Sequence, residues 1–522
     1  MMAEGSDILI GIDAGTSVIK AVAFDLSGRQ LAMASVPNRY TTRASDGAAF
    51  QPLAQTWDDC AATLRALAEK IENLSGRTAA LAVTAQGDGT WLIGAGDVPV
   101  DDGWLWLDSR SAKTVARLRG TPADAERYAI TGTGLNVCQM GSQLAHMEAT
   151  EPEKLDRAEV GFHCKDWLYL NLTGVRATDP SEANFTFGNF RTRRYDDRVL
   201  EALGLTARRH LLPDILDGTE TTHPLTAAAA AATGLRAGTP VSLGYVDVVC
   251  TALGAGIMTD TPAACSIIGS TAMHMRALPA EDVPFNGEQT GYVMCLPIPG
   301  MATMMQSTMA ATLNIDWILG LAEDLLARMG QKVSRADLIA QIDGWMAETA
   351  PGALIYHPYI SEAGERGPFV DASARASLTG LTMTHRFPDL VRAVVEGLSL
   401  AARDCYRAMG PAPEELRLTG GAARSDALRT TLSAAVGTPT RISAREEAGA
   451  AGAAMMAAVA TGHYPDIRAA IAEWVTPHLG EATPPDPGLA TLYADRYETY
   501  RKTRLALAPH WGAFAHQTER EQ

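Results

Sequence analysis

The stretch ILIGIDAGTSVIKAVAFDLSGRQLAMASV, residues 8–36, carries the reading of the fold. Ile8 to Ile12 is a short apolar run that ends at Asp13-Ala14-Gly15-Thr16-Ser17. Val18 to Asp25 then alternates, with Val22 and Phe24 apolar. Asp25-Leu26-Ser27-Gly28 supplies turn chemistry, and residues 30–36 return to an extended pattern. The unit reads strand, tight turn, strand, turn, strand, which predicts an antiparallel meander and not a strand-to-helix nucleotide loop.

The same grammar restarts in the second half. Val241 to Gly244 reads as a strand running into Tyr245-Val246-Asp247, followed by a helix of small residues, Val249 to Gly256. Ala264 to Ile268 reads as a strand ending in Gly269-Ser270-Thr271, and Leu416 to Leu418 as one ending in Thr419-Gly420-Gly421-Ala422-Ala423. Helices are expected over 56–73, 109–118, 425–436 and 489–507, with a buried strand over 79–84. A Gly/hydroxyl turn opening each half predicts a structural duplication, with domains 1–255 and 256–522.

Bulk properties agree with two domains. A single core rarely grows past about 250–300 residues, and this chain has 522. Its 47% hydrophobic and 20% charged composition supports two sizeable cores. The net charge of −16 argues against nucleic acid as a partner. No long apolar run is flanked like a membrane span, and the N-terminus lacks a basic and apolar leader, so the expected location is the cytoplasm. Seven widely spaced cysteines, with no C-x-x-C pair, read as reduced core thiols.

Several constellations can carry chemistry. In Asp13-Ala14-Gly15-Thr16-Ser17, glycine lets backbone amides converge, and N–H groups with hydroxyls can hold phosphate oxygens. Asp13 suits Mg²⁺ as an oxygen ligand, and Lys20 can add positive charge. The bland alternative is a plain turn. Asp247 could accept a hydroxyl proton in phosphoryl transfer or could equally cap its helix. Ser425 could touch a flat ring or serve as an N-cap. Gln86-Gly87-Asp88, with Trp104, Trp106, Asp108 and Arg110, could recognise a polyhydroxyl molecule, or the tryptophans could be core.

In order, these motifs resemble the FGGY carbohydrate kinases over about residues 7 to 505. The most specific match runs through Gly364-Glu365-Arg366-Gly367-Pro368-Phe369, Arg375 to Leu381 and Ala393 to Leu398, with a further likeness at Glu446 to Ala454. The resemblance implies an α/β fold of two ribonuclease-H-like, actin-like ATPase domains with an interdomain active-site cleft, and possible homodimers. It implies ATP and Mg²⁺ as cofactors and Asp247 as the catalytic base, with Asp13 positioning the metal. Gly15, Thr16, Ser17, Lys20, Gly269, Ser270 and Thr271 would bind phosphate. Gly420, Gly421, Ala422 and Ser425 would line the adenosine pocket. Gln86, Gly87, Asp88, Trp106 and Gln139 would face a small sugar or polyol, next to Asp247. Gly87-Asp88 stands where glycerol kinases carry Arg-Glu and D-xylulose kinases Met-His. Val248 replaces the Gln or Asn that follows their catalytic Asp. The strings Ala85-Gln86-Gly87 and Asp247-Val248-Val249 are similar to the branch acting on erythritol and L-xylulose, so erythritol is the expected acceptor and a ketopentose the alternative. An actin-like ATPase without a sugar acceptor is the rival of another class.

Overall fold

The computed structural model describes residues 7–259, 263–421 and 425–518. The chain opens with β1 (Ile8–Ala14), β2 (Val18–Asp25) and β3 (Gln30–Pro37). These pair antiparallel in sequence, with Asp13 opposite Lys20. After α1 (Leu53–Ala68) comes β4 (Thr78–Ala85), parallel to β1. All eight residues of β4 are buried, as a central strand covered on both faces requires. Then follow α2 (Cys164–Thr173), α3 (Pro180–Phe187), β5 (Thr222–Pro224) and β6 (Pro240–Leu243), β6 lying parallel to β4. The first sheet has the order β5-β6-β4-β1-β2-β3.

Helix α4 (Asp247–Ala255) leads into the second half. There β7 (Ala264–Ile268), β8 (Ala272–Pro279), β9 (Tyr292–Cys295) and β10 (Met301–Thr308) precede α5 (Thr312–Arg328) and α6 (Phe387–Ala408). The chain continues through β11 (Leu416–Thr419), α7 (Asp426–Val436), β12 (Thr440–Ile442), α8 (Ala448–Ala460) and α9 (Pro487–Leu507). The second sheet runs β9-β10-β8-β7-β11-β12. Apart from one edge strand on each sheet, both repeat one plan. A meander of three antiparallel strands has two further strands added in parallel beside its first.

Helix boundaries differ from the periodicity reading for local reasons. α1 stops at Ala68, and the chain turns at Asn73, whose φ of 51° breaks any continuation to 73. The helix expected over 109–118 starts at Ala112. α9 starts inside the proline-rich stretch. Asp486 accepts a hydrogen bond from the Leu489 N–H (2.8 Å), and Pro487 takes the first helical position, where its missing donor is harmless. All seven cysteines are buried and unpaired. Among the described residues no helix is long and apolar enough to cross a membrane.

The halves meet through α8, which comes late in the chain yet packs on α4 and on β1 and β4 of the first sheet. Its sequence AGAAGAAMMAAVA is buried from Ala448 to Ala458. A side chain added at Gly11 would overlap the Ala450 carbonyl; one at Gly254 would overlap Ala448 O, and one at Gly452 Cys250 O. Glycine here buys backbone-to-backbone approach. Gly452→Val is expected to cost about 1–3 kcal/mol through overpacking, seen as a lower apparent Tm. Gly344→Ala, on a short helix with open space around it, is the control and should gain about 0.5–1 kcal/mol. An unchanged Tm for Gly452→Val would contradict the close crossing.

Candidate active site

The two Gly/hydroxyl turns occupy equivalent places, between the first and second strands of each meander. In the first, Asn38 grips the backbone: its Nδ2 donates to Gly15 O (2.8 Å) and its N–H to Ser17 O (2.8 Å). A polar relay continues behind it. Trp106 Nε1 donates to Thr16 Oγ1 (2.9 Å), which donates to Gln86 Oε1 (2.8 Å). Gln86 Nε2 donates to Gln51 Oε1 (2.8 Å), and Gln51 Nε2 to Asn38 Oδ1 (2.5 Å). The second turn is pinned by Thr312, whose hydroxyl (2.9 Å) and N–H (3.1 Å) both donate to Gly269 O, and by Ala311 N–H donating to Ser270 O (2.7 Å). The carbonyls of Gly15, Ser17, Gly269 and Ser270 are engaged in these bonds. The N–H groups of Thr16, Ser17, Ser270 and Thr271 find no protein acceptor among the described residues. Ser17, Gly269 and Ser270 are exposed. Oriented amide donors open to solvent suit an anion.

A cavity of about 170 Å³ lies between the halves, touched by Thr16 and Asp247 from one side and Thr271 and Arg366 from the other. That volume is small beside the roughly 300–1,000 Å³ of drug-sized sites. Two buried polar atoms in it lack protein partners among the described residues. Asp88 accepts from Tyr292 OH at Oδ2 (3.1 Å), but its buried Oδ1 has no donor. Arg366 donates Nη2 to Ser307 Oγ (3.2 Å), but its Nε has no acceptor. Phe185, Met273, Met294 and Met305 supply apolar wall. A small molecule with hydroxyls that both donate and accept would satisfy the carboxylate and the guanidinium together. Gly87 is required beside them, because a side chain there would fall 2.5 Å from Val246 Cγ2.

Asp247 is the first residue of α4, not its cap, which is Val246. Its Oδ1 accepts from the Val248 N–H (2.7 Å), and Oδ2 has no protein partner among the described residues. The side chain remains partly accessible in the cavity wall. Close protein surroundings push its carboxyl well above the ordinary carboxylate range, and the charge of Asp13 adds to this. Asp13 is itself pushed up to about 6, by burial first; Glu447 adds to the rise and Lys20 opposes it.

The other sequence candidates fall in different places. Lys20 is not free at the turn: its Nζ lies 2.7 Å from Glu447 Oε2, an ion pair joining the two halves. Gln139 does not reach the cavity. Its Nε2 donates to Gly134 O (3.0 Å) and its Oε1 accepts from the Asn136 N–H (3.1 Å), because the amide braces its own loop. Gly420 has a φ of 93°, and any side chain would overlap Ile268 O. Gly421 has open space around it. Ser425 caps α7, its Oγ accepting from the Leu428 N–H (3.3 Å). Ala422 lies outside the described residues. Trp104 is core, under Arg110 and its partner Asp108, whereas Trp106 lines the cavity. Residue-level reading missed Arg366 as a site residue, although it sits inside the most specific motif. Tyr292, Phe185 and the methionines carry no local signal, since apolar and aromatic residues on strands and helices read as core.

The description "FGGY family of carbohydrate kinases, N-terminal domain" matches residues 8–254, and the corresponding C-terminal domain matches residues 264–461. The chain is 62% identical over 515 residues to the erythritol kinase of Brucella abortus, covering 98% of this chain and 99% of that one. It is 27% identical to the L-xylulose/3-keto-L-gulonate kinase of Escherichia coli, over 95% of this chain and 97% of the relative. Among solved structures it is similar to a xylulose kinase from Rhodospirillum rubrum, with a TM-score of 0.85, 25% identity and coverage of 97% and 100%. A gluconate kinase from Lactobacillus acidophilus shares the fold, with a TM-score of 0.87, 21% identity and coverage of 97% and 99%.

The relay behind the first turn generates a test. Gln51 is fully buried and serves Gln86, Asn38 and Arg39 O. Gln51→Leu strands those groups and should lower stability by at least about 1–3 kcal/mol. Faster amide exchange at residues 14–17 should accompany the lower apparent Tm; unaltered exchange there would dismiss the relay as the turn's anchor.

Proposed function

Because the chain belongs to the FGGY family of carbohydrate kinases, we propose that it transfers the γ-phosphoryl group of ATP to a hydroxyl of erythritol. It is an ATP-dependent carbohydrate kinase. The 62% identity over nearly the whole length of an erythritol kinase carries the choice of acceptor. The small cavity, with Asp88 Oδ1 and Arg366 Nε open to a ligand, agrees with a short polyol.

In this reading the acceptor lies in the cavity, its hydroxyls donating to Asp88 Oδ1 and accepting from Arg366 Nε. Asp247 Oδ2 takes the proton of the reacting hydroxyl as the new O–P bond forms and the bond to the ADP oxygen breaks. The free N–H groups of the two turns hold the phosphates. The loop at Gly420, Gly421 and Ser425 takes the adenosine. Asp13 fits Mg²⁺: it is a carboxylate oxygen ligand, and its charge raises the carboxyl of Asp247 nearby. When bound, the ion would neutralise phosphate charge. Lys20, engaged with Glu447, ties the halves and leaves phosphate binding to the amides. We assign the base, Asp88 and the first turn to residues 1–255 and the nucleotide loop to 256–522, with Arg366 and Tyr292 reaching across to the acceptor. Seven buried, unpaired cysteines agree with a reducing cytoplasm.

Release of ADP, coupled to a spectroscopic reporter and measured across erythritol, L-xylulose, D-xylulose and glycerol, tests the reading. Erythritol should give the highest kcat/KM. Preference for L-xylulose would replace the acceptor, and ADP release indifferent to any acceptor would replace the kinase with an ATPase.

Asp247→Asn should lose at least about a hundredfold in kcat; turnover near wild type rejects the base. The raised pKa of Asp247 also fixes two signs. The acid limb of kcat/KM should lie above the about 4 of an ordinary carboxylate, since activity needs the ionised form. Folded Asp247 holds its proton more tightly than the unfolded chain does. Its contribution to stability is therefore present at low pH and lost as pH rises through the folded pKa. Asp247→Asn removes that ionisation penalty, so its apparent Tm should exceed wild type by about 1–3 °C at pH 8. The gain should shrink towards pH 4.

A further inference from the structure

Behind the cavity wall lies a fully buried knot of charge. Lys165, on α2, has its Nζ 2.8 Å from Asp166 Oδ1, 2.7 Å from Asp179 Oδ2 and 2.5 Å from Glu182 Oε2. None of these side chains has exposed surface. His163 Nδ1 completes it, 3.3 Å from Asp166 Oδ2 and 3.6 Å from Glu182 Oε2. The ligand atoms of His163, Asp166 and Glu182 all lie within 4.8 Å of one another, close enough for a metal ion. The Lys165 ammonium already supplies the cation there. Burial opposes charge on that ammonium, but its three carboxylate neighbours outweigh burial and hold its pKa well above the ordinary value.

Burying such a cluster is expensive, and well-packed apolar residues often do as well for stability. What the cluster holds gives a reason for it. Glu182 Oε1 accepts the backbone N–H of Asp88 (2.9 Å). Asp88 is a non-glycine residue with a φ of 57°, a conformation that needs an external hold. On the other side, Asp179 Oδ1 accepts from Ser181 N–H (2.7 Å) and from Ser181 Oγ. Ser181 Oγ in turn accepts the backbone N–H of Val246 (3.1 Å), the residue that precedes Asp247. One ammonium therefore anchors two arms. One reaches the turn carrying Asp88, the other the helix start carrying Asp247.

We propose that Lys165, through Glu182 and through Asp179 and Ser181, is a positioning residue that fixes the acceptor-binding turn and the catalytic carboxylate relative to each other. This rests on the roles given above to Asp88 and Asp247. Neither Lys165 nor its carboxylates touch the substrates; they act through backbone N–H groups at both ends.

Three variants test it without removing the lysine: Ser181→Ala, Glu182→Ala and Glu182→Gln. Steady-state kinetics with erythritol and ATP are measured beside ADP affinity by calorimetry, since the nucleotide loop lies in the other half. Ser181→Ala should lower kcat about tenfold or more with KM for erythritol within about twofold of wild type. Glu182→Ala should raise that KM by about ten- to a hundredfold. Glu182→Gln keeps an oxygen for the Asp88 N–H and should recover most of that rise. ADP affinity should stay at the wild-type value throughout. Wild-type kcat and KM in Ser181→Ala and Glu182→Ala would overturn the proposal, as would Glu182→Gln being as damaging as Glu182→Ala. A parallel fall in ADP affinity would also overturn it, marking a general loss of structure. Near-wild-type turnover of Asp247→Asn would instead sink the mechanism beneath it, so the two failures are separable.

Discussion

Two helices, α4 and α8, touch backbone to backbone, and the site depends on that contact. Gly254 and Gly452 meet the carbonyls of Ala448 and Cys250, while Gly11 brings β1 against Ala450. α4 begins at Asp247, and β1 ends beside Asp13. The same close crossing that joins the halves therefore brings the two carboxylates of the cleft near each other. A layer of ordinary side chains between the helices would widen the crossing and separate the turns at the ends of their strands.

Electrostatics around the cleft follows from where cations are spent. Asp13, Asp88, Glu182 and Asp247 crowd one side, and burial drives each carboxyl upward. Lys165 is held inside its own cluster and Lys20 is paired with Glu447. Arg366 faces the cavity with no carboxylate within ion-pair distance among the described residues. The result is a set of acids whose carboxyls are all pushed upward, next to amide donors left open for an anion. A protein of net charge −16 can in this way hold a polyphosphate locally despite its global field.

The fold was legible to a large degree because its signals are local. The meander at 8–36 announces itself through turn residues and alternation, and the second Gly/hydroxyl turn marks the repeat. Asp247 was equally readable as base or cap, and the structure removes the cap: Val246 holds that position. Lys20 and Gln139 find their partners in opposite ways. Lys20 sits near the turn in sequence but takes a partner 427 residues away. Gln139 belongs to a plausible motif, yet its amide is consumed by the carbonyl of Gly134 and the N–H of Asn136.

The sequence by itself determined the strands, the turns, their duplication and the carboxylates available for chemistry. Glycine, hydroxyl and apolar periodicity act over a few residues, and such preferences survive without knowledge of the rest of the chain. Tertiary structure alone decided which groups converge. The meeting of Asp88 with Tyr292 spans 204 residues of chain, and the arrival of Arg366 opposite Asp88, the Lys165 cluster and the pairing of Lys20 are likewise products of packing. Charged and hydrogen-bonding side chains choose partners by proximity in a desolvated interior, and proximity of distant segments is set by how the sheets and the α4–α8 pair come together.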